Sequence, residues 1–371
     1  MTSASTQPDV SVIVPARNEE ECLGMCLQSL VGQWGEDKES VSHPFPKEGN
    51  GWGTEVEFEV IVVDDHSTDG TRAIAESFPV KVIGAGQLPR GWSGKCNACE
   101  SGAKVAKGKW LLFTDADTTH AADSIAQGLG EAERTGATLL SYSPKQEVHG
   151  LAERALMPVI FAELAATFRP REVNDPNSPA AAANGQYLLI RRDAYDAVGG
   201  HAAVAKAILE DVELARLVKR AGYRLQFRLS DAVSTRMYRS FGHMWEGWTK
   251  NLALLFPRPL WLAAKRAVEF LLIAGFVGGV LVAIGDRSAI GATVNGVGVA
   301  AVGALFFRRI VRAHFDWVSN SVAVFGLPLF ALLLVNSYIS HKNGQLKWKG
   351  RVYGEQVAVL TTECTERTEN D

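Results

Sequence analysis

Short runs of β-branched and aliphatic residues alternate with amphipathic stretches through the first two-thirds of the chain. Residues 10–14 are almost continuously apolar, as in a strand buried on both faces, and Pro15 follows. Residues 19–30 set Leu23, Cys26, Leu27 and Leu30 at helical spacing on one face. A second strand is predicted at 58–63, and Ser, Thr and Asp capping residues open a helix over 67–76. Further strands are predicted at 80–83, 110–113, 138–141 and 188–190. This alternation predicts an α/β layered domain, in which ligands bind beyond the carboxyl ends of the strands. The polar Gly/Pro/Glu stretch at 32–54 has no periodicity and reads as a surface loop inserted into that domain.

The pattern changes near Pro259. Residues 267–285 are apolar except for Glu269, residues 288–307 carry no charge, and neither do residues 318–338, which contain Pro328. About 20 helical residues reach across the ~30 Å hydrocarbon core of a bilayer, so three transmembrane helices are expected. Residues 151–168 read as an apolar helix carrying Glu153, Arg154 and Glu163, and residues 241–266 are rich in Trp, Leu and Pro, as interfacial segments are. For the first of these, packing onto the soluble domain is an equal alternative. The expected organisation is a disordered 1–9, an α/β domain over 10–240, an interfacial 241–266, the three helices, and a basic then acidic tail over 341–371.

Charge sharpens this division. Residues 1–240 hold 25 Lys+Arg against 32 Asp+Glu, whereas residues 241–355 hold 12 against 5. Lys265 and Arg266 precede the first span and Arg308, Arg309 and Arg312 follow the second, so the positive-inside rule puts the α/β domain in the cytoplasm. Three full spans would leave Lys342, Lys347, Lys349 and Arg351 outside, so the third run is expected to be re-entrant, with a cytosolic tail. A net charge of −3 offers no basic footprint for nucleic acid. Five cysteines make no disulfide framework, and the polar residues 1–9 lead to the expectation that there is no secretory signal.

Acidic turns follow the strands in order. Strand one runs into Pro15-Ala16-Arg17-Asn18-Glu19 and strand two into Asp64-Asp65-His66. Residues 110–113 lead to Thr114-Asp115-Ala116-Asp117, and Glu210-Asp211 opens a later helix. Two carboxylates on one tight turn suit Mg²⁺ or Mn²⁺, which keep waters and bridge phosphate oxygens. Asp64 and Asp65 repel each other unless each finds donors, which a nucleobase or ribose supplies; helix capping is the local alternative.

This ordered set resembles glycosyltransferase family 2, with its GT-A nucleotide-diphospho-sugar fold, over roughly residues 9–250. The resemblance implies that Pro15, Arg17 and Glu19 line a nucleotide pocket and that Asp65 reads the base. It places Lys95 beside the nucleotide, Asp115 on the ribose and Asp117 on the metal. Asp211 is implied as general base, with Glu210 as the fallback, and Gly200 and His201 as a border to the acceptor. Segments 237–241, 245–250 and 348–353 look like a membrane-bound branch that includes 4,4'-diaponeurosporenoate and hopanoid-associated glycosyltransferases. By that likeness Arg239, Trp245 and Trp248 hold a hydrophobic, lipid-like acceptor at the bilayer surface.

The implied reaction is inverting transfer of a sugar, glucose from UDP-glucose, onto a carotenoid or other terpenoid. A polyprenyl-phosphate or polysaccharide glycosyltransferase is the alternative within the fold, and a non-catalytic nucleotide-sugar-binding membrane protein the alternative outside catalysis. Cys22, Cys26, Cys96 and Cys99 are read as reduced thiols rather than a zinc site, because one pair lies on a helix face and the other beside the nucleotide loop.

Overall fold

The computed structural model describes residues 7–34 and 56–344, with backbone alone at 347–348 and 351–352. Most of the 32–54 insertion, the start of the N-terminal segment and most of the 341–371 tail, with the side chains of the 348–353 motif, lie outside the described residues. The chain divides into two compact units. The first comprises residues 1–147 and 168–237, the second 148–167 and 238–371.

In unit 1, β1 (Val10–Ala16), α1 (Leu23–Val31), β2 (Phe58–Asp64), α2 (Thr71–Glu76) and β3 (Lys81–Gly84) follow in order. Then come α3 (Gly94–Val105), β4 (Trp110–Phe113), β5 (Thr118–His120), α4 (Ser124–Thr135) and β6 (Leu139–Gln146). The chain leaves for unit 2 through α5 (Leu151–Thr167) and returns with α6 (Pro170–Val173) and β7 (Leu188–Arg191). The unit closes with α7 (Arg192–Ala197), α8 (Gly200–Ala203), α9 (Glu210–Arg220) and β8 (Leu225–Thr235).

One eight-stranded sheet runs β3-β2-β1-β4-β7-β6-β8-β5. Strands β1 to β4 are mutually parallel, β7 is antiparallel to both β4 and β6, and β8 runs parallel to β6. The carboxyl ends of β1, β2, β4, β6 and β8 therefore share one edge with the start of β7. Strand alternation sorts the side chains into two cores. Val10, Val12, Val14, Val60, Val62 and Leu112 pack on one face, and Ile13, Ile61, Val63, Leu111 and Phe113 on the other. Burial on both faces explains why these strands read as unbroken apolar runs rather than alternating ones. The nucleotide-diphospho-sugar (GT-A) architecture is thus present, with the apolar helices following it.

Helix α1 buries the four residues expected, but begins at Leu23 rather than at residue 19. The preceding acidic turn is held by other bonds: Glu19 N–H donates to Thr71 Oγ1 and Glu20 N–H to Asp69. Helix α2 likewise starts at Thr71, because Asp64 Oδ1 takes the Ser67 N–H and Asp69 Oδ1 that of Thr71. These side-chain acceptors compete with the helical ladder and convert the predicted first turn into loop.

Unit 2 holds α5, α10 (Phe241–Leu255), α11 (Pro259–Gly285), α12 (Ala289–Ile310), α13 (Trp317–Val322) and α14 (Gly326–Lys342). Helix α5 is a core element of unit 2: residues Ala155–Ala162 are buried among α10, α13 and α14. Its apolar residues surround the helix, which is the pattern of a core helix. Helices α11 and α12 form an antiparallel hairpin, with only 6% of the apolar stretch of each buried, whereas half of the stretch in the third candidate span is buried. That third span is broken by a 3₁₀ turn at Ala323–Phe325, so Pro328 sits within the first turn of α14, where its missing N–H costs nothing.

Candidate active site

The chemistry-bearing residues gather where β1, β2 and β4 end. Asp64 closes β2 and Asp65 follows it, 4% exposed, with its N–H on the Ala16 carbonyl. Arg17 reaches across from the end of β1 and donates from Nη1 to the Asp65 carbonyl at 2.7 Å. Pro15 is the sixth residue of β1, level with Val63, and Glu19 begins the turn into α1. Arg17, Glu19 and Asp65 thus lie together at one edge of the sheet.

Asp115 and Asp117 occupy the turn between β4 and β5. Lys95, in the first turn of α3, places Nζ 2.7 Å from Asp115 Oδ1 and 3.0 Å from Glu210 Oε1. Helix α3 is capped by Ser93 Oγ, which accepts from Cys96 N–H. Its far end is fixed by Arg192, which donates to the carbonyls of Ala103, Ala106 and Gly108. Burial alone would push Lys95 down; Asp115, Glu210 and Asp211 together hold its ammonium well above the usual lysine range.

Asp211 stands in the first turn of α9, and Oδ2 accepts the Gly185 N–H at 2.8 Å while Oδ1 accepts that of Val212. Burial and the neighbouring Glu210 push its carboxyl up to about 6, against the opposing pull of Lys95 and the two N–H donors. A carboxylate near that value can take a proton at neutral pH. Glu210 is 7% exposed and committed to Lys95, which makes it the poorer base. A Cβ on Gly185 would lie 2.7 Å from Lys95 Nζ, so a larger residue would push the lysine head group aside.

Gly200, His201 and Trp248, expected to border or hold the acceptor, are enclosed by neighbouring side chains. Gly199 and Gly200 both have positive φ, and a Cβ on Gly200 would lie 2.6 Å from the Tyr195 ring. The turn seats His201, 3% exposed, with Nδ1 2.9 Å from Tyr195 Oη and its ring edge-on to Phe113. Burial lowers its pKa to about 4, leaving it neutral. Trp248 is a core residue of unit 2: it packs edge-on to Phe161 and its indole N–H meets Met157 Sδ at 3.4 Å. Arg239 and Trp245 also belong to unit 2; Arg239 is exposed and the Trp245 ring lies 5.7 Å from that of Phe241.

Residues with no motif of their own complete the site. Thr114, Thr118, His120, Gln186 and Thr235 are buried beneath the Asp115–Asp117 turn. Burial drives His120 down to about 3, so it is a neutral member of this network. Cys26 Sγ reaches the Asp115 carbonyl at 3.7 Å and is pushed by burial up to about 12, which suits a weak donor rather than a nucleophile. The Asn184-Gly185-Gln186 step after four alanines was the available sequence signal, a turn in an otherwise apolar run.

The donor set can be tested for a divalent cation. Among the described residues no three His, Cys, Asp or Glu side chains converge as metal ligands. Mg²⁺ and Mn²⁺ do not need three: they are commonly held by one or two carboxylates plus substrate phosphates and waters. Asp117, on the same turn as Asp115, fits that demand.

A family model described as glycosyl transferase family 2 matches residues 11–199, just over half of the chain. The chain belongs to that family. It is 28% identical over 370 residues to a 4,4'-diaponeurosporenoate glycosyltransferase of Staphylococcus haemolyticus (strain JCSC1435), covering 94% of this chain and 89% of that one. The protein of the same name from Staphylococcus aureus (strain MRSA252) is 27% identical, with 93% and 88% covered. Among solved structures, mannosyltransferase PcManGT from Pyrobaculum calidifontis, in complex with GDP-Man and Mn²⁺, has a TM-score of 0.47 at 16% identity, covering 91% of this chain and 87% of that chain. Glucosyl-3-phosphoglycerate synthase from Mycobacterium tuberculosis, in complex with Mn²⁺, UDP-Glc and phosphoglyceric acid, has a TM-score of 0.42 at 16% identity, covering 67% and 78%. Family membership makes the chain a glycosyltransferase.

Proposed function

We propose that this glycosyltransferase moves a hexose, glucose from UDP-glucose, with inversion onto a carotenoid or other terpenoid acceptor, from a membrane-held position with unit 1 in the cytoplasm. The observation that carries the reading is the meeting of Asp115, Glu210 and Asp211 around Lys95, at the sheet edge that also bears Asp65 and Asp117. The names of the curated relatives support a carotenoid-like acceptor. The three apolar helices support membrane association, and the cations at the start of α11 and the end of α12 support the cytoplasmic orientation.

Asp65 and Arg17 are suited to the nucleoside, and Lys95 and Asp115 to the donor beside it. Asp117 would hold Mg²⁺ or Mn²⁺, which when bound neutralises charge on the departing diphosphate. Asp211 accepts the proton of an acceptor hydroxyl as its oxygen bonds to the anomeric carbon and the bond to the diphosphate breaks. One carboxylate suffices, because the leaving group departs without needing a proton.

The test is to incubate membranes holding the protein with labelled UDP-glucose and analyse extracted lipids by mass. Label in a terpenoid lipid is expected, lost by at least about a hundredfold in Asp211→Asn, the usual scale for removing a general base, with UDP binding retained. Label only in water-soluble polymer would reject the acceptor class, and full activity of Asp211→Asn would reject the assigned base.

A further inference from the structure

The turn carrying Asp115 and Asp117 is held from below by hydroxyl groups. Thr118 Oγ1 donates to the Asp115 carbonyl at 2.7 Å, and Thr235 Oγ1 donates to the Asp117 carbonyl at 3.1 Å. Thr235 has one hydroxyl proton, so with that proton on Asp117 its oxygen must accept. Gln186 Nε2 supplies the donor at 3.2 Å. The main chain of the same glutamine is tied in as well, since its carbonyl accepts from Thr114 Oγ1 at 2.8 Å. One residue earlier, Gly185 N–H donates to Asp211 Oδ2.

These bonds make one path: Asp117 carbonyl, Thr235 hydroxyl, Gln186 amide, the 185–186 peptide, Asp211 carboxylate. Thr114, Gln186 and Thr235 are 0%, 4% and 1% exposed, so water cannot replace a lost partner without a cavity to enter. The path also joins four segments distant in sequence, since β8 supplies Thr235, the approach to β7 supplies Gln186, the β4–β5 turn supplies Asp117 and α9 supplies Asp211.

We propose that Thr235 and Gln186 are positioning residues, a buried clasp that holds the Asp115–Asp117 turn and the Asp211 carboxylate in a single register. The clasp rests on the donor-site reading above. Its consequence is that the diphosphate end and the proton-accepting end of the site are set together, and that damage at Thr235 is felt at the turn although Thr235 touches no reactant. Deleting the hydroxyl removes at once a donor to the Asp117 carbonyl and the acceptor of the buried Gln186 amide, and losing a partner in a largely dry interior is costly.

The experiment compares Thr235→Val, Thr235→Ser, Gln186→Met, the Thr235→Val/Gln186→Met double variant and Asp117→Ala in the purified full-length chain. Mn²⁺ binding in the presence of UDP is followed by electron paramagnetic resonance, beside kcat and KM for the donor. Thr235→Val should weaken Mn²⁺–UDP binding by about tenfold, with Thr235→Ser within about twofold of the unchanged protein. The double variant should be no worse than Thr235→Val alone, because both substitutions break the same path. Unchanged binding in Thr235→Val, or strictly additive losses in the double variant, overturns the clasp. If Thr235→Val does not fold, Gln186→Met decides by the same readout: weakened binding supports the clasp and unchanged binding overturns it. Asp117→Ala separates the two readings: binding lost there but intact in Thr235→Val rejects only the clasp, whereas binding intact in Asp117→Ala rejects the donor site itself.

Discussion

Each unit gathers ionised side chains against one another, and the two do so in opposite ways. In unit 2, Arg266 and Arg309 meet Glu163 and Glu269: two cations, two anions, with Arg266 Nε 2.9 Å from Glu163 Oε1 and Arg309 Nη1 2.9 Å from Glu269 Oε1. The set joins α5, α11 and α12 and is closed, each acid touching both guanidinium groups. In unit 1, Lys95 faces three acids, Asp115, Glu210 and Asp211. The first arrangement is neutral and serves packing. The second sets Lys95 against three acids, a balance that favours a further cation. Balance against imbalance, rather than burial as such, separates a structural ion cluster from a reactive one here.

The largest expected effect comes from breaking the balanced set. Arg266→Ala would leave Glu163 and Glu269 short of a partner among buried helices, and loss of one member of a buried pair costs about 3–5 kcal/mol. Thermal unfolding in detergent should show a clear fall in midpoint. Replacing Glu163, Arg266, Glu269 and Arg309 together by apolar residues of similar volume should cost far less, because no charge is left stranded. A mild Arg266→Ala with a severe quadruple variant would reverse the reading of this cluster.

The unbalanced set should behave differently. Lys95→Met removes its internal cation and leaves three carboxylates facing one another, so stability without divalent ion should fall. Added Mn²⁺ should then raise the melting midpoint more in Lys95→Met than in the unchanged protein, since the vacated charge favours a cation. Equal shifts in the two proteins would mean that Lys95 does not compensate this acidic group.

Much of unit 1 was legible because parallel strands buried on both faces write themselves as apolar runs, and because the acids follow those strands directly. The helix starts at residues 19 and 67 were misplaced for a local reason: Asp64 and Asp69 capture N–H groups that a helix would have used. Strand β8 escaped notice because residues Leu225–Thr235 mix Arg, Ser and Asp with apolar positions, and its partner residues come from distant β6. Gly185, Gln186 and Thr235 carry no charge, and their role exists only in three dimensions. The enclosure of Trp248 and His201 by aromatic neighbours was not legible either, because their partners Phe161 and Phe113 lie far away in sequence. Helix α5 was ambiguous because an apolar helix with three charges suits a membrane surface or a core; its Glu163 finds partners that only the fold supplies.

The smallest effect sharpens the comparison most finely, since it asks whether the two adjacent acids of the unbalanced set act as separate groups. Asp211 must be ionised to accept a proton, so kcat/KM should be level above about pH 6 and fall as pH drops through the raised value of its carboxyl. The direction follows from the sign of the shift: burial and Glu210 both disfavour the charged form, extending the protonated range upward. Glu210→Gln deletes the neighbouring negative charge while keeping the side chain's size, so the acid limb should move to lower pH by up to about one unit while turnover on the plateau persists. Were Glu210 itself the base, the plateau would collapse instead. A limb that stays in place with full turnover would show that burial alone sets the Asp211 carboxyl, and that the imbalance in this site is felt at Lys95 rather than at the acid that reacts.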